Sequence, residues 1–405
     1  MRNRILKIIG IVILSIFVAA CVFAGGLFIG EKKAVSDFMN AHVTVGSAKN
    51  GDFKILDEIY GVINEEYVDK VSKDKLLEGA ITGMLSSLGD DYTRHFKAKD
   101  FQHINEVTEG RFEGVGMTLE VIDGTLNIIS VIENTPAAAA GLKANDKILE
   151  INGKTTKGMA IDKAVSQIKG KSGTDVTVKI SRAGADPFDV TMKRAEIRIP
   201  NIQSRMEGDV GYIRLIHSFD SSAGEDVRNE VKKLKEQGAK GIVLDLRGNP
   251  GGLLMSGVEV ASDFIEKGVI VSIKERKGSE RKYTSVGNSD KDIPLVVLVN
   301  KGSASASEIV AGAIQDYERG PVIGDQTFGK GSVQSVLDLS DGSGLIITTA
   351  KYYTPKGRSI SKVGVTPDIK ISNPEGEGQP DLQLEKAKEV LAAMLAGTDW
   401  RTLKN

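Results

Sequence analysis

Three serines alternate with alanine in the segment KGSASASEIVAGAIQD, residues 301–316. Glu308 follows Ser305 by three residues, a spacing typical of a capping box that satisfies free N–H groups at a helix N-terminus. The same position suits a nucleophilic serine, because free N–H groups and the positive end of the helix dipole stabilise developing negative charge. The segment alone indicates either a structural cap or a nucleophile.

A serine nucleophile needs a base, and lysine can replace the usual histidine. Lys330 lies between two glycines in TFGKGSVQS, residues 327–335. Desolvation lowers the pKa of a lysine from its reference value of ~10.4, which favours the neutral amine. The next residues alternate as in a strand, so Gln334 lies on the same face and its amide would orient the amine. An exposed lysine in a glycine turn is the structural alternative.

The same region also partly matches a phosphate-binding loop. GDQTFGK, residues 324–330, fits G-x-x-x-x-G-K, but Gly331 occupies the position that requires Ser or Thr. A strand-like pattern follows, whereas that loop leads into a helix. A nucleotide site is therefore disfavoured.

Two further glycine-rich segments have the composition of anion-binding turns. LDLRGNPGG, residues 244–252, is a strand and a turn whose N–H groups would supply half of an oxyanion hole, with the Ala306 N–H as the other half. A structural turn explains these glycines equally well. In EGVGMTLEV, residues 113–121, a glycine loop precedes a strand, an arrangement that binds a C-terminal carboxylate and adds the peptide to the strand.

The composition limits the class of protein that carries these residues. The chain has 405 residues, a formal net charge of −1 and one cysteine, Cys21. A nearly neutral chain has no basic field for nucleic acid, and a single cysteine excludes an intramolecular disulfide and a Cys-rich zinc site. We predict no metal, no cofactor and no nucleic-acid partner.

The N-terminal region predicts attachment to a membrane. Three basic residues precede an uncharged, mostly apolar run over residues 8–30, which is long enough to span a bilayer. We predict an uncleaved signal anchor at residues 1–30, single-pass in the cell membrane, with the body extracytoplasmic. The alternative is a lipoprotein, since VAAC, residues 18–21, resembles a lipidation box that would anchor the chain at Cys21.

The remaining patterns divide the chain into units of α+β and α/β class. Residues 31–50 form a stalk, 51–108 a small helical unit, and 109–195 a compact α+β unit. Over residues 196–372, strands alternate with helices, which predicts a largely parallel α/β sheet with helical crossovers. A linker and a terminal helix occupy residues 373–405.

Four motifs follow one another along the chain: LDLRGNPGG, GSASASEIVAGAIQD, TFGKGSVQS and YYTPKGRSISKVGVTPDI. Together and in this order they resemble the motifs of the carboxyl-terminal processing peptidases, also called tail-specific proteases. Residues 111–195 resemble the inserted PDZ domain of that family, and the whole resemblance covers approximately residues 52–395. It implies an α/β protease core that cuts protein or peptide substrates recognised through their free C-termini.

The resemblance assigns roles to individual residues. It makes Ser305 the nucleophile, Lys330 the general base and Gln334 the partner that orients the base. Ser305 and Lys330 would form the Ser/Lys dyad of a serine endopeptidase. Ser303 or Ser307 would then cap the helix.

Two anion sites are also implied by the resemblance. The oxyanion hole is expected at the N–H groups of Ala306 and Gly251, with Gly252 as the alternative second donor. The residues expected to hold the substrate carboxylate are Val115, Gly116 and Met117.

One residue departs from the family pattern. Some members have an arginine in the PDZ helix-to-strand region that senses the peptide C-terminus, where this chain has Lys169, a point charge without the bidentate fork of arginine. This difference puts such gating in doubt. The alternative function is a non-catalytic PDZ peptide-binding module at the membrane, and a homodimer through the helical unit is a further option.

Overall fold

The computed structural model describes residues 53–403 except 288, 375 and 377. The predicted anchor, the stalk and Cys21 lie outside the described residues. Within that part of the chain, no helix combines the length and apolar character needed to cross a membrane.

The chain divides into two compact units. The described part of the first unit contains α1 (Lys54–Glu66), α2 (Lys73–Ser86) and β1 (Arg94–Phe96). The two helices confirm the helical pattern predicted for this region, and Ser72 caps α2 by accepting a hydrogen bond from the Lys75 N–H at 3.3 Å. Neither helix buries a side chain within the described residues.

One strand-like segment within residues 196–372, the range predicted to form a largely parallel sheet, pairs instead with β1. The segment GLIITTAKYYT forms β18 (Gly344–Tyr353), which is antiparallel to β1 and also pairs with β17 (Ser332–Asp338). The expectation was wrong because strand-like composition does not specify a partner, and residues 333–350 belong to the first unit.

The second unit begins with an α+β region. The helix α3 (Ala98–Glu109) leads into it. A sheet of order β3-β4-β5-β7-β8, with β6 added to β5, packs its inner faces around buried residues such as Ile128, Ile148 and Val178. The predicted strands and helices of this region are confirmed. The elements are β2 (Arg111–Gly114), β3 (Met117–Ile122), β4 (Thr125–Val131), α4 (Pro136–Ala139), β5 (Lys147–Ile151), β6 (Lys154–Thr155), α5 (Ile161–Ile168), β7 (Asp175–Ser181), β8 (Phe188–Lys193) and β9 (Ala195–Arg198).

The larger part of the second unit is built on a six-stranded sheet of order β10-β11-β12-β15-β16-β19. Neighbouring strands from β11 to β19 are parallel, which confirms the predicted topology. The sheet strands are β10 (Ile202–Glu207), β11 (Val210–Leu215), β12 (Gly241–Asp245), β15 (Leu295–Val299), β16 (Val322–Gly324) and β19 (Ile369–Lys370). The associated elements are α6 (Ala223–Glu236), α7 (Leu254–Ser262), β13 (Val269–Glu275), β14 (Glu280–Thr284), α8 (Ala306–Asp316), α9 (Leu382–Leu395) and the 3₁₀ helix Trp400–Leu403.

The neighbouring strands β12, β15 and β16 position the candidate site. Every residue of GIVLD and LVVLV in the first two strands is buried, as expected for parallel strands covered on both faces. Their carboxyl ends lie along one edge of the sheet, the edge at which open α/β sheets place their ligand sites. The three segments that follow these strands contain Gly251, Ser305 and Lys330.

Candidate active site

Ser305 lies immediately before α8 and is half-buried. Its backbone has φ = 53° and ψ = −113°, a conformation that is strained for a residue with a Cβ. The glutamate half of the predicted capping box is present, since the Ser305 N–H donates to Glu308 Oε2 at 2.9 Å. The serine is therefore held in a sharp turn at a helix N-terminus.

The glycine turn after β12 contacts this serine. Gly251 has φ = 99°, and a Cβ added there would lie 2.7 Å from the Ser305 Cβ and 2.8 Å from the Ala306 backbone nitrogen. Only a glycine permits both the conformation and the close approach. The structure thus brings together three of the residues singled out from the sequence.

The backbone N–H groups around Ser305 differ in whether they already donate a hydrogen bond inside the protein. The Gly251 N–H donates to Asn249 Oδ1 at 2.9 Å inside the protein. Within the described residues, the N–H groups of Ala306 and Gly252 donate no hydrogen bond. The Gly251 N–H is therefore already used inside the protein, and the choice of Gly251 or Gly252 as the second oxyanion donor stays a prediction.

The neighbouring serines fix the glycine turn and do not cap α8 as expected. Ser303 Oγ donates to the Leu246 carbonyl at 2.8 Å, and Ser307 Oγ donates to the Asn249 carbonyl at 2.9 Å. Both serines are fully buried. Their hydroxyls find acceptors in the turn because it packs directly on the start of α8.

The buried carboxylate of Glu308 joins the serine to the lysine segment. Oε1 accepts hydrogen bonds from Thr327 Oγ1 at 2.6 Å and the Gly329 N–H at 2.7 Å. Oε2 accepts from the Lys330 N–H at 2.9 Å as well as from Ser305. One carboxylate therefore fixes the backbone of both predicted dyad residues.

Tyr352 reinforces this connection. Its hydroxyl donates to the Lys330 carbonyl and lies 3.3 Å from the Ser305 carbonyl oxygen. The sequence assigned Glu308 only to capping and gave no role to Thr327 or Tyr352. The TF of TFGKGS and the YY of YYTPKG were the available signals, but neither indicates a partner so distant in sequence.

Gln334 belongs to the first unit, whereas Lys330 belongs to the second. In β17, Gln334 Nε2 donates to Thr348 Oγ1 at 3.1 Å. Its predicted role as the partner of the lysine stays a prediction.

The predicted carboxylate-binding residues line one pocket. Val115, Gly116 and Met117 lie at its glycine turn, and the cavity of about 90 Å³ runs between β3 and α5. The Val115 and Gly116 carbonyls accept hydrogen bonds from Ala137 and Ile132. Within the described residues, the N–H groups of Val115 and Gly116 donate to no acceptor. This is the arrangement expected of a site for a peptide carboxylate.

Lys169 lies at the rim of the same pocket. Its amine donates to Glu106 Oε2 and lies 4.9 Å from the centre of the Phe112 ring. A carboxylate already neutralises much of its charge, so the lysine does not offer an isolated cation to a peptide.

Comparison with known proteins decides the family. The sequence profile of Peptidase family S41 matches residues 209–371. A carboxy-terminal-processing protease of Bartonella bacilliformis is 40% identical over 362 residues, which are 87% of this chain and 82% of that protein. The chain belongs to the carboxy-terminal processing proteases. It is a serine-type peptidase, as the motifs predicted.

Other matches cover the rest of the processing protease. The PDZ domain profile matches residues 105–181, and the profile of the activating protease CtpB N-terminal domain matches residues 16–99. The carboxy-terminal processing protease CtpA of Bacillus subtilis is 38% identical over 84% of this chain and 74% of its own length. The solved structure of the photosystem II D1 C-terminal processing protease is 32% identical, with a TM-score of 0.47 over 84% of this chain and 90% of that chain.

Proposed function

We propose that Ser305 is the nucleophile and Lys330 the general base of an endopeptidase reaction. The contact between the Gly251 turn and Ser305 carries this proposal, since a glycine turn packed directly against one particular serine is what an oxyanion hole beside a nucleophile requires. Ser305 Oγ attacks the scissile carbonyl carbon while its proton moves to Lys330 Nζ. The lysine then gives this proton to the leaving amine, and water hydrolyses the acyl-enzyme by the same steps in reverse order.

The oxyanion of the tetrahedral intermediate would accept hydrogen bonds from the N–H groups of Ala306 and Gly252. Asn249 supports this choice, because its side chain occupies the Gly251 N–H. Gln334 is proposed to orient the lysine. This role comes from the strand alternation in the sequence and from the family resemblance.

Substrate choice is proposed to depend on the PDZ domain. The N–H groups of Val115 and Gly116 would hold the free C-terminal carboxylate, while Met117 and Leu119 line a pocket that accepts an apolar C-terminal side chain. We propose that the protease is anchored by residues 1–30, with lipidation at Cys21 as the alternative, and that it acts on extracytoplasmic proteins.

Cleavage should become faster as the pH rises. Lys330 must be neutral to accept the serine proton, and the neutral fraction of a lysine increases with pH. The measurement is single-turnover cleavage of an unstructured peptide at pH 5 to 9 on folded enzyme. A chemical step that proceeds equally fast at every pH would contradict a lysine base.

Amidation of the substrate C-terminus should lower kcat/KM about tenfold or more, because a charge-assisted contact is worth about 1.5–3 kcal/mol. The comparison uses one peptide with an apolar C-terminal residue, in free-acid and amide form, cut at the same internal bond below KM. A third peptide with a C-terminal aspartate controls for the apolar pocket. Equal rates for acid and amide would remove the recognition of C-termini and leave a general endopeptidase.

A further inference from the structure

The N-terminus of α9 contacts two of the three segments that form the candidate site. Asp381, the N-cap residue of this helix, accepts two hydrogen bonds from Arg247, at 2.6 Å to Oδ1 and 2.8 Å to Oδ2. Arg247 also pairs with Asp245 at the end of β12, at 2.6 Å. Arg247 is four residues before Gly251. Its pairing with Asp381 therefore lets helix α9 hold the start of the glycine turn in place.

Gln383 makes a second connection, toward the lysine segment. It is 2% exposed, and its Nε2 donates to Asp325 Oδ2 at 2.9 Å and to the Ile371 carbonyl at 2.8 Å. Its Oε1 accepts a hydrogen bond from Arg247 at 3.1 Å. Asp325 is the first residue after β16 and is five residues before Lys330. A single buried amide therefore contacts both segments.

The contact made by Gln383 links two segments that are not adjacent in the sheet. β15, which precedes Ser305, lies between β12 and β16 in the sheet, so the segments of the predicted oxyanion donor and base are not neighbours through strand pairing. Glu308 connects the lysine segment to Ser305 on the inner side. Gln383 connects the lysine segment to the glycine turn through Asp325 and Arg247, and Asp381 holds the same arginine.

The ion pair between Asp381 and Arg247 stays charged over the pH range in which the enzyme works. Burial alone would raise the pKa of Asp381, but hydrogen bonds from Arg247 and Asn373 lower it to about 2. The pKa of Arg247 is raised by the two carboxylates despite its burial. Both groups stay ionised wherever a lysine base can function.

We propose that Asp381 and Gln383 are positioning residues for the peptidase reaction, which hold the oxyanion turn and the lysine segment at a fixed separation. This inference rests on the proposed roles of Ser305 and Lys330. Each acts through a side chain of a segment that carries a proposed reacting group, Arg247 or Asp325, and a displacement of about 1 Å in such a segment is enough to lower the rate of the chemical step.

The test is Gln383→Met in the full-length protease, which keeps the length of the side chain and removes its donor and its acceptor. We expect kcat per folded molecule to fall at least about tenfold, KM for the peptide to stay within about twofold, and the midpoint of the pH–rate profile to move. Val390→Ala is the matched control, because Val390 is fully buried in the same helix and belongs to the apolar cluster on the sheet. It should lower the melting temperature and leave kcat per folded molecule and the pH midpoint unchanged.

A second variant keeps the proposal testable if Gln383→Met does not fold. Asp381→Asn retains an acceptor for the Leu384 N–H, now at 3.1 Å, and puts an amide against Arg247. Like Gln383→Met, this variant should have a lower kcat than the wild type. Wild-type kcat and pH midpoint in whichever variant folds, or the same loss of kcat in Val390→Ala, would overturn the positioning role. Cleavage that persists in Ser305→Ala would instead overturn the proposed function.

Discussion

Replacing Ser305 with alanine is expected to lower peptide cleavage by at least about a thousandfold, because the variant has no oxygen to attack the carbonyl. The fold should survive, since the substitution removes one atom from a half-buried side chain. Cleavage is measured on purified protein with a peptide that carries a free C-terminus, and peptide binding is measured in parallel. Binding without cleavage is the expected outcome.

Ser303→Ala is the matched control for this experiment. The Ser303 hydroxyl is buried and bonds the Leu246 carbonyl and the Asn300 N–H, so its loss should reduce the free energy of unfolding by about 1–3 kcal/mol. Turnover per folded molecule should fall far less than in Ser305→Ala. If Ser305→Ala cleaved at the wild-type rate, the nucleophile would have to be another residue.

The second large effect is expected for Glu308→Gln, which should lower kcat by about a hundredfold. The glutamate accepts hydrogen bonds at both oxygens, and each oxygen receives two donors. In glutamine, one of these positions becomes an NH₂ group that faces at least one backbone N–H, that of Gly329 or those of Ser305 and Lys330. A backbone N–H cannot accept a hydrogen bond, so Ser305 or the Lys330 segment must move.

The measurement separates kcat from KM and includes a melting curve. Asp316→Asn is the control, since Asp316 is a buried carboxylate at the other end of α8 that bonds the Lys356 N–H at 2.7 Å. Both variants should lose stability, but only Glu308→Gln should lose most of its turnover. Similar kcat values in the two variants would show that Glu308 stabilises the fold without aligning the dyad.

Much of this architecture could be predicted from local patterns. The alternation of strands with helices over residues 196–372 indicated a largely parallel sheet, and the order of the motifs indicated the family. The ties between segments could not be predicted, because they join residues that are distant along the chain. Arg247 and Asp381 are 134 positions apart. Gln383 gave no signal in the sequence, because an amide in an amphipathic helix is usually a solvated residue.

Which glycine N–H serves as the second oxyanion donor, that of Gly251 or that of Gly252, also depends on a contact that the sequence does not reveal. Both glycines belong to NPGG, and the family resemblance pointed to Gly251 with Gly252 as the alternative. The side chain of Asn249 makes the difference by occupying one N–H. Strand β18 was misplaced for a related reason, since a strand's partner depends on contacts outside the strand.

The backbone of Ser305 sets a conflict between evolution for stability and evolution for activity. A positive φ with ψ = −113° costs a side chain of any kind about 1–3 kcal/mol, and glycine would relieve that cost. Selection for a more robust fold, acting alone, would therefore drive position 305 toward glycine and remove the hydroxyl. With Ser305 as the proposed nucleophile, selection for catalysis would oppose this drift and keep the serine. A lineage that needed only the PDZ domain would be expected to lose this serine early.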